Sequence, residues 1–386
     1  MNCLTNIRLP DPLITNSESN YWRVYLNDNH IIDSILPMSK DFEFSGEDWK
    51  GDFLSPRGVD LQVNGGLGLS FPDITFEDLP KLCCLLELLW KHGVEAIAPT
   101  FVTCSSTSLR EGLLVLREAR KQHVQNRCRL LGAHLEGPFL SRKFVGAHNL
   151  DYLISPDLAE LDKRIHNYES EISLVTLAPE LPGAMDLIKR LRELGIVVSL
   201  GHSSANEAVT KEAFLNGLTM FTHVFNAMPG LHHRFPGPIA EAISNGNISL
   251  GLIADGVHVH PLMATLLHKL APKQLVLVSD AIAPYGLQDG TYTWDKRVIF
   301  SKEGCCRLAN GTLVGVTLPL LDGCRKLAKW TGDIGSSIWS ATIAPREVLS
   351  RKNLMTKDYL VGKSLKELLR WETNLENNHL FWRSAA

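Results

Sequence analysis

Leu130-Leu-Gly-Ala-His-Leu-Glu-Gly-Pro138 is the stretch on which the reading of the fold turns. It is a short apolar run that closes on His134 and Glu136 and is stopped by a Gly-Pro pair. A run of that length bounded by a breaker reads as a buried strand. Outward from it, short apolar and β-branched runs alternate with amphipathic stretches from residue 58 onward. The predicted strands are 58–63, 95–100, 130–135, 172–177, 197–200, 219–224, 248–253 and 275–279. The predicted helices include 76–92, 106–122, 184–194, 205–216 and 261–270. Strands separated by helices call for a parallel sheet, and eight strands are the number that closes a ring. The expectation is an α/β chain built as an eight-stranded parallel β/α (TIM-type) barrel, with a doubly wound open sheet as the alternative.

In such a barrel the reactive groups stand where strands end and loops begin. The predicted ends carry Asp60-Leu-Gln-Val-Asn-Gly65, His134-Leu-Glu136, Gly201-His-Ser203, Thr222-His223 followed by Asn226-Ala-Met-Pro229, Asp255-Gly-Val-His258, and Ser279-Asp-Ala281. One carboxylate and two imidazoles from different strands make a three-donor set for a catalytic zinc. That set leaves a position for water, which the metal acidifies. Asp280 on the last strand is then a general base and acid. Burying these groups together without a cation would be costly.

Composition bounds the function classes. The 386 residues are 45% hydrophobic with a net charge of −3, and mean hydropathy is near zero. Such a chain can bury a large core. No basic run points to nucleic acid or a membrane surface, so neither is expected as a partner. The eight cysteines include the adjacent pairs Cys83-Cys84 and Cys305-Cys306 and no Cys-x-x-Cys spacing. They read as free thiols in a reducing compartment, those in the apolar stretch 82–90 as small buried hydrophobes. Residues 1–20 are polar with two prolines and lack the features of a signal peptide, so a cytoplasmic location is expected.

The segments Gly132-Ala-His-Leu-Glu-Gly-Pro-Phe-Leu140, Val175-Thr-Leu-Ala-Pro-Glu180, Gly201-His-Ser203, Thr222-His-Val-Phe-Asn-Ala-Met-Pro229 and Val278-Ser-Asp-Ala281 together resemble the N-acetylglucosamine-6-phosphate deacetylases of the amidohydrolase superfamily. The resemblance runs from about residue 56 to 315, roughly two-thirds of the chain. It implies that Glu136, His202 and His223 bind the metal, and that His148 contacts the sugar and polarises the acetamide carbonyl. It also implies substrate contacts by Gln62, Asn226, the backbone of Ala227, Arg234 and His258. Gln62 stands where many amidohydrolases carry a histidine, which implies one divalent ion, zinc first, with iron or manganese as alternatives. The implied reaction is hydrolysis of N-acetylglucosamine 6-phosphate to glucosamine 6-phosphate and acetate by metal-activated water, with Asp280 as general base and acid. A phosphate site completed near a subunit boundary implies a homodimer.

Two regions depart from the pattern. Val316-Thr317 follows Gly315 where relatives carry Ser-Thr, so Thr317 alone is retained as a substrate contact. The C-terminal segment lacks the usual closing strand, and 362–371 reads as helical. Residues 21–36 read as two strands around an Asn/Asp turn. The expected division is a small β-domain at 1–55, the barrel at 56–350, and a C-terminal segment at 351–386 that returns to the small domain. Two other functions are weighed: an amidohydrolase acting on a different N-acyl substrate, such as N-acetylgalactosamine 6-phosphate or an N-acyl amino acid, and a non-catalytic sugar-phosphate-binding barrel.

Overall fold

Gly58–Val63, Val94–Phe101, Ala133–Glu136, Ile172–Leu177, Val197–Leu200, Met220–Phe221, Ser249–Leu252 and Leu275–Leu277 are the eight successive barrel strands. The computed structural model describes residues 2–12, 21–38, 46–350, 354–374 and 379–386. The reading of residues 1–20 as a polar lead-in therefore falls partly outside the described residues, at 1 and 13–20.

Each barrel strand pairs in parallel with the next, in chain order and without a reversal. The ring closes between its ends, where the Asp280 amide donates to the Gln62 carbonyl at 3.0 Å and Val63 bridges Ala281. Closure excludes the open doubly wound sheet. It also sets Asp280 against the end of strand one, 218 positions away in sequence, which no local pattern encodes.

Helices such as Leu79–Lys91, Ser106–Lys121 and Ala184–Glu193 bury one apolar face each against the outside of the ring. Their starts follow the local chemistry. Ser105 and Asn206 each accept a backbone N–H three residues on, which satisfies donors that a helix leaves unpaired at its first turn.

Strands six and eight are shorter than the sequence suggests. The chain leaves extended conformation at the functional positions, with φ of 29° at His223 and 54° at Asp280. His202 and Ala227 also hold positive φ, at 48° and 51°. Non-glycine residues in this region are strained, and the surrounding structure must hold them there. The apolar pattern of 219–224 and 275–279 is therefore real, but its last residues turn inward to the mouth of the barrel.

Residues two apart on a strand share a face. His134 thus lies one layer below Glu136. Its ring bridges Thr100 and Thr176, and Thr176 continues through Thr222 to Ser199. This chain of short side chains ties strands two to six together beneath the site. Burial holds the His134 imidazole down at about 4, so it is neutral and serves the layer.

The flanks form further sheets. Asn2–Ile7, Trp22–Leu26, Ile32–Pro37 and Glu47–Asp48 make one, and Phe53–Pro56 pairs with Leu368–Asn374, which pairs with His379–Ser384. The helical reading of 362–371 is corrected: a short turn at Leu365–Glu367 leads into a strand. Leu368, Leu369 and Trp371 suit a helical period, but tertiary pairing overrides it, and the Trp371 indole N–H donates to Ser55 Oγ at 2.8 Å. An antiparallel sheet, Gly290–Trp294, Arg297–Lys302, Cys305–Leu308 and Leu313–Val316, follows the last barrel strand. All eight cysteines are free thiols, and Cys104, Cys128, Cys305, Cys306 and Cys324 are buried. Cys83 and Cys84 are not, which corrects the reading of stretch 82–90: they lie on the outward side of their helix. Among the described residues no helix is long and apolar enough to cross a membrane.

Candidate active site

A cavity of about 350 Å³ opens at the C-terminal end of the barrel strands. Glu136, His148, His202, His223, Asn226, Ala227, His258 and Asp280 all line it, although they come from five strand ends and two loops. Three predicted residues do not. Gln62 sits beneath, its amide Nε2 3.3 Å from both Glu136 carboxylate oxygens. Arg234 is exposed on its loop, with Nη1 2.9 Å from His233 Nε2. Thr317 spends its amide on the Gly304 carbonyl, and Thr312, Leu313 and Val314 line the cavity instead.

Three imidazoles crowd one carboxylate. Glu136 Oε1 lies 2.9 Å from His223 Nε2, 3.2 Å from His202 Nε2 and 3.9 Å from His148 Nε2. Burial alone would raise the Glu136 carboxyl, but the imidazoles of His148, His202 and His223 around it outweigh that and hold it well below the usual range. The His202 ring is pushed down to about 4 by burial and by repulsion from His148. Glu136, His148 and His202 also form a donor group, with donor atoms within 4.8 Å of one another.

The partners behind the rings separate them chemically. His202 Nδ1 faces the Phe144 carbonyl at 2.9 Å, so that nitrogen carries the proton and Nε2 presents a lone pair. His148 is the reverse: its Nδ1 accepts the Thr103 backbone N–H at 3.3 Å, so Nε2 carries the proton. His148 is therefore a donor toward the cavity, consistent with its 3.2 Å approach to the His202 lone pair. Of the three rings His148 is the least suited to hold a cation. Two ring nitrogens, those of His202 and His223, lie 3.1 Å apart around one carboxylate oxygen, all buried. That donor set fits a divalent cation, which would remove the cost of confining these lone pairs and the charge together.

Asp280 faces the cluster. Burial, with Glu136 nearby, raises its carboxyl to about 7, while Asn64 donates to it at 2.7 Å. Asp255 accepts the His258 Nδ1–H at 2.7 Å and two backbone N–H groups, which orients that ring. The Asn226 amide nitrogen turns back to its own loop carbonyls, leaving its oxygen for other contacts. Sequence reading missed Thr103, Asn64 and Trp294, which also lines the cavity. Asn64 had a signal, since it lies two residues beyond Gln62 on the same strand face. Thr103 meets His148 Nδ1 through both its backbone N–H and its hydroxyl, and nothing local to it signals this.

No family model matches the chain. It is 33% identical to N-acetylglucosamine-6-phosphate deacetylase of Vibrio furnissii, over 77% of this chain and 73% of the relative. It is 32% identical to N-acetylgalactosamine-6-phosphate deacetylase of Escherichia coli O157:H7, over 83% and 84%. The solved structure of N-acetylglucosamine-6-phosphate deacetylase from Pasteurella multocida superposes with a TM-score of 0.79 over 99% of both chains, at 26% identity. With this similarity, the closed barrel and the carboxylate–imidazole cluster at its mouth, the chain belongs to the N-acetylglucosamine-6-phosphate deacetylases of the amidohydrolase superfamily.

Proposed function

We propose that this protein hydrolyses N-acetylglucosamine 6-phosphate to glucosamine 6-phosphate and acetate. The observation that carries the reading is the buried cluster of Glu136, His202 and His223 with Asp280 facing it in one cavity. Glu136, His202 and His223 would hold one divalent ion, zinc by the nitrogen-and-oxygen donor set, with iron or manganese able to use the same donors. When bound, such an ion supplies Lewis acidity, polarising a carbonyl and acidifying water. Asp280 takes a proton from the attacking water and returns it to the departing nitrogen, a task suited to a carboxyl raised toward neutrality. The His148 Nε2–H donates to the carbonyl oxygen as charge develops on it. His258, held by Asp255, and Asn226 and Ala227 orient the sugar phosphate. Gln62 supports the Glu136 carboxylate from below, in place of an imidazole that would favour a second ion.

Arg234 lies on an exposed loop outside the cavity of its own chain. Its planar donors suit a phosphate, and a homodimer would let this loop complete a neighbour's site. The small β-domain is assigned to 1–55 and the barrel to 56–350. That a C-terminal segment at 351–386 returns to the small domain is supported by the pairing of Leu368–Asn374 with Phe53–Pro56. The test is acetate release from N-acetylglucosamine 6-phosphate, N-acetylgalactosamine 6-phosphate and unphosphorylated N-acetylglucosamine, with metal analysis of the same preparation. The first should be the best substrate by kcat/KM. Equal rates with and without phosphate would overturn the phosphate assignment, and faster turnover of the galactosamine epimer would reassign the substrate.

A further inference from the structure

Asn64 closes strand one on its inward face and lines the cavity. Its main chain is fully engaged, the amide donating to the Ala281 carbonyl at 2.6 Å and the carbonyl accepting the Phe71 amide at 3.1 Å. Its side-chain Nδ2 donates to Asp280 Oδ1 at 2.7 Å. The remaining atom, Oδ1, is buried and has no hydrogen-bond partner among the described residues. Buried amide oxygens are almost always paired, and one left open in a residue that lines a cavity calls for a ligand donor.

We propose that Asn64 is a catalytic residue with two contacts. Its Nδ2–H keeps Asp280 Oδ1 an acceptor, so the transferred proton is carried on Oδ2. Its free Oδ1 accepts the N–H of the scissile amide. The proposal rests on the reading of Asp280 as proton carrier. The nitrogen and oxygen of one planar amide lie about 2.3 Å apart, so a substrate nitrogen held by Oδ1 sits beside the carboxyl it must take a proton from. The balance is complete. Water gives one proton to Asp280 Oδ2 while its oxygen bonds to the carbonyl carbon and the π pair moves to the carbonyl oxygen. The carbon–nitrogen bond then breaks, its electron pair stays on nitrogen, and nitrogen takes the proton from Oδ2. The amine leaves with two hydrogens, its own held by Asn64 and one from Asp280, and the acetic acid formed ionises in solution.

The test compares the N-acetyl substrate with its ester counterpart, glucose 6-phosphate acetylated on the 2-hydroxyl. The ester still needs a proton on its leaving oxygen but has no N–H for Asn64. Asn64→Leu should lower kcat on the amide about 100-fold or more, the scale of losing one preorganised contact at a reacting group. The loss on the ester should be at least about tenfold smaller. Asn64→Asp keeps an acceptor oxygen but loses the donor, so both rates should fall while the amide-to-ester ratio stays near that of the native enzyme. Melting temperature and metal content establish that each variant is folded and loaded. Equal losses on both substrates in Asn64→Leu overturn the amide contact, and unchanged rates overturn both contacts. Asp280→Asn separates the underlying reading: retained acetate release there refutes the proton carrier and the clamp with it, whereas an amide-selective loss in Asn64→Leu would still establish the acceptor.

Discussion

Asp60 is a buried carboxyl outside the reaction, and replacing it by asparagine should make the protein's stability respond to pH in a defined way. The carboxyl is 1% exposed, accepting the backbone N–H groups of Gln62 at 3.2 Å and Ser279 at 3.1 Å. It thereby pins strand one to strand eight where the barrel closes. Burial raises it from 3.8 to about 6, against the opposing pull of Ser279 and Gln62. The folded value lies above the unfolded one, so between these pH values the folded protein holds a proton that the unfolded chain has lost. Stability is therefore fully present below the unfolded value and lost as pH rises through about 6. A separation of about 2 pH units corresponds to about 3 kcal/mol. The Asp60→Asn amide cannot ionise, so the stability of the variant minus that of the native protein should climb by about 2 kcal/mol between pH 4 and 7. The cost of accommodating the amide is a constant offset and leaves this slope untouched. Urea denaturation of both proteins at half-unit pH steps, at equal metal content, measures the difference curve. A flat curve, or one that falls as pH rises, refutes the reasoning.

Three further outcomes are expected. Asp280→Asn should abolish acetate release while the bound metal stays at the native ratio by elemental analysis; metal loss in step with activity would make Asp280 a ligand. Arg234→Ala should raise KM for the phosphorylated sugar about tenfold or more and leave the unphosphorylated sugar unaffected, as steady-state assays would show. Gly251→Ala places a Cβ 2.7 Å from the Phe221 carbonyl and 3.4 Å from the His223 amide. Spreading strands six and seven should cost about 1–3 kcal/mol and shift His223. A lower melting temperature with weaker metal retention is expected, and a native melting curve would count against the close strand approach.

Much of the molecule was legible in its linear pattern. Short apolar runs ending in polar residues, spaced by amphipathic helices, give eight parallel strands and list the polar groups at their ends, because strand and helix periods are local properties of the chain. Ring closure decides between a barrel and an open sheet. Glu136, His202, His223 and Asp280 were read as strand-end groups this way, each from the residues beside it, and all four line the cavity. The strand at Leu368–Asn374 was not, because local periodicity favoured a helix and one of its two partners, Phe53–Pro56, lies more than three hundred positions away. Tertiary structure alone decided which predicted residues meet. Closure of the ring brings Asn64 to Asp280, while Arg234 and Thr317 stay off the cavity of their own chain. It also decided the protonation pattern of two rings that look alike in sequence. His202 backs onto a carbonyl and His148 onto an N–H, and these are main-chain groups that any residue type could supply. The physical reason is the same in each case: composition and periodicity determine which face of an element is buried, but a hydrogen bond between distant backbone and side-chain atoms exists only once the barrel has closed.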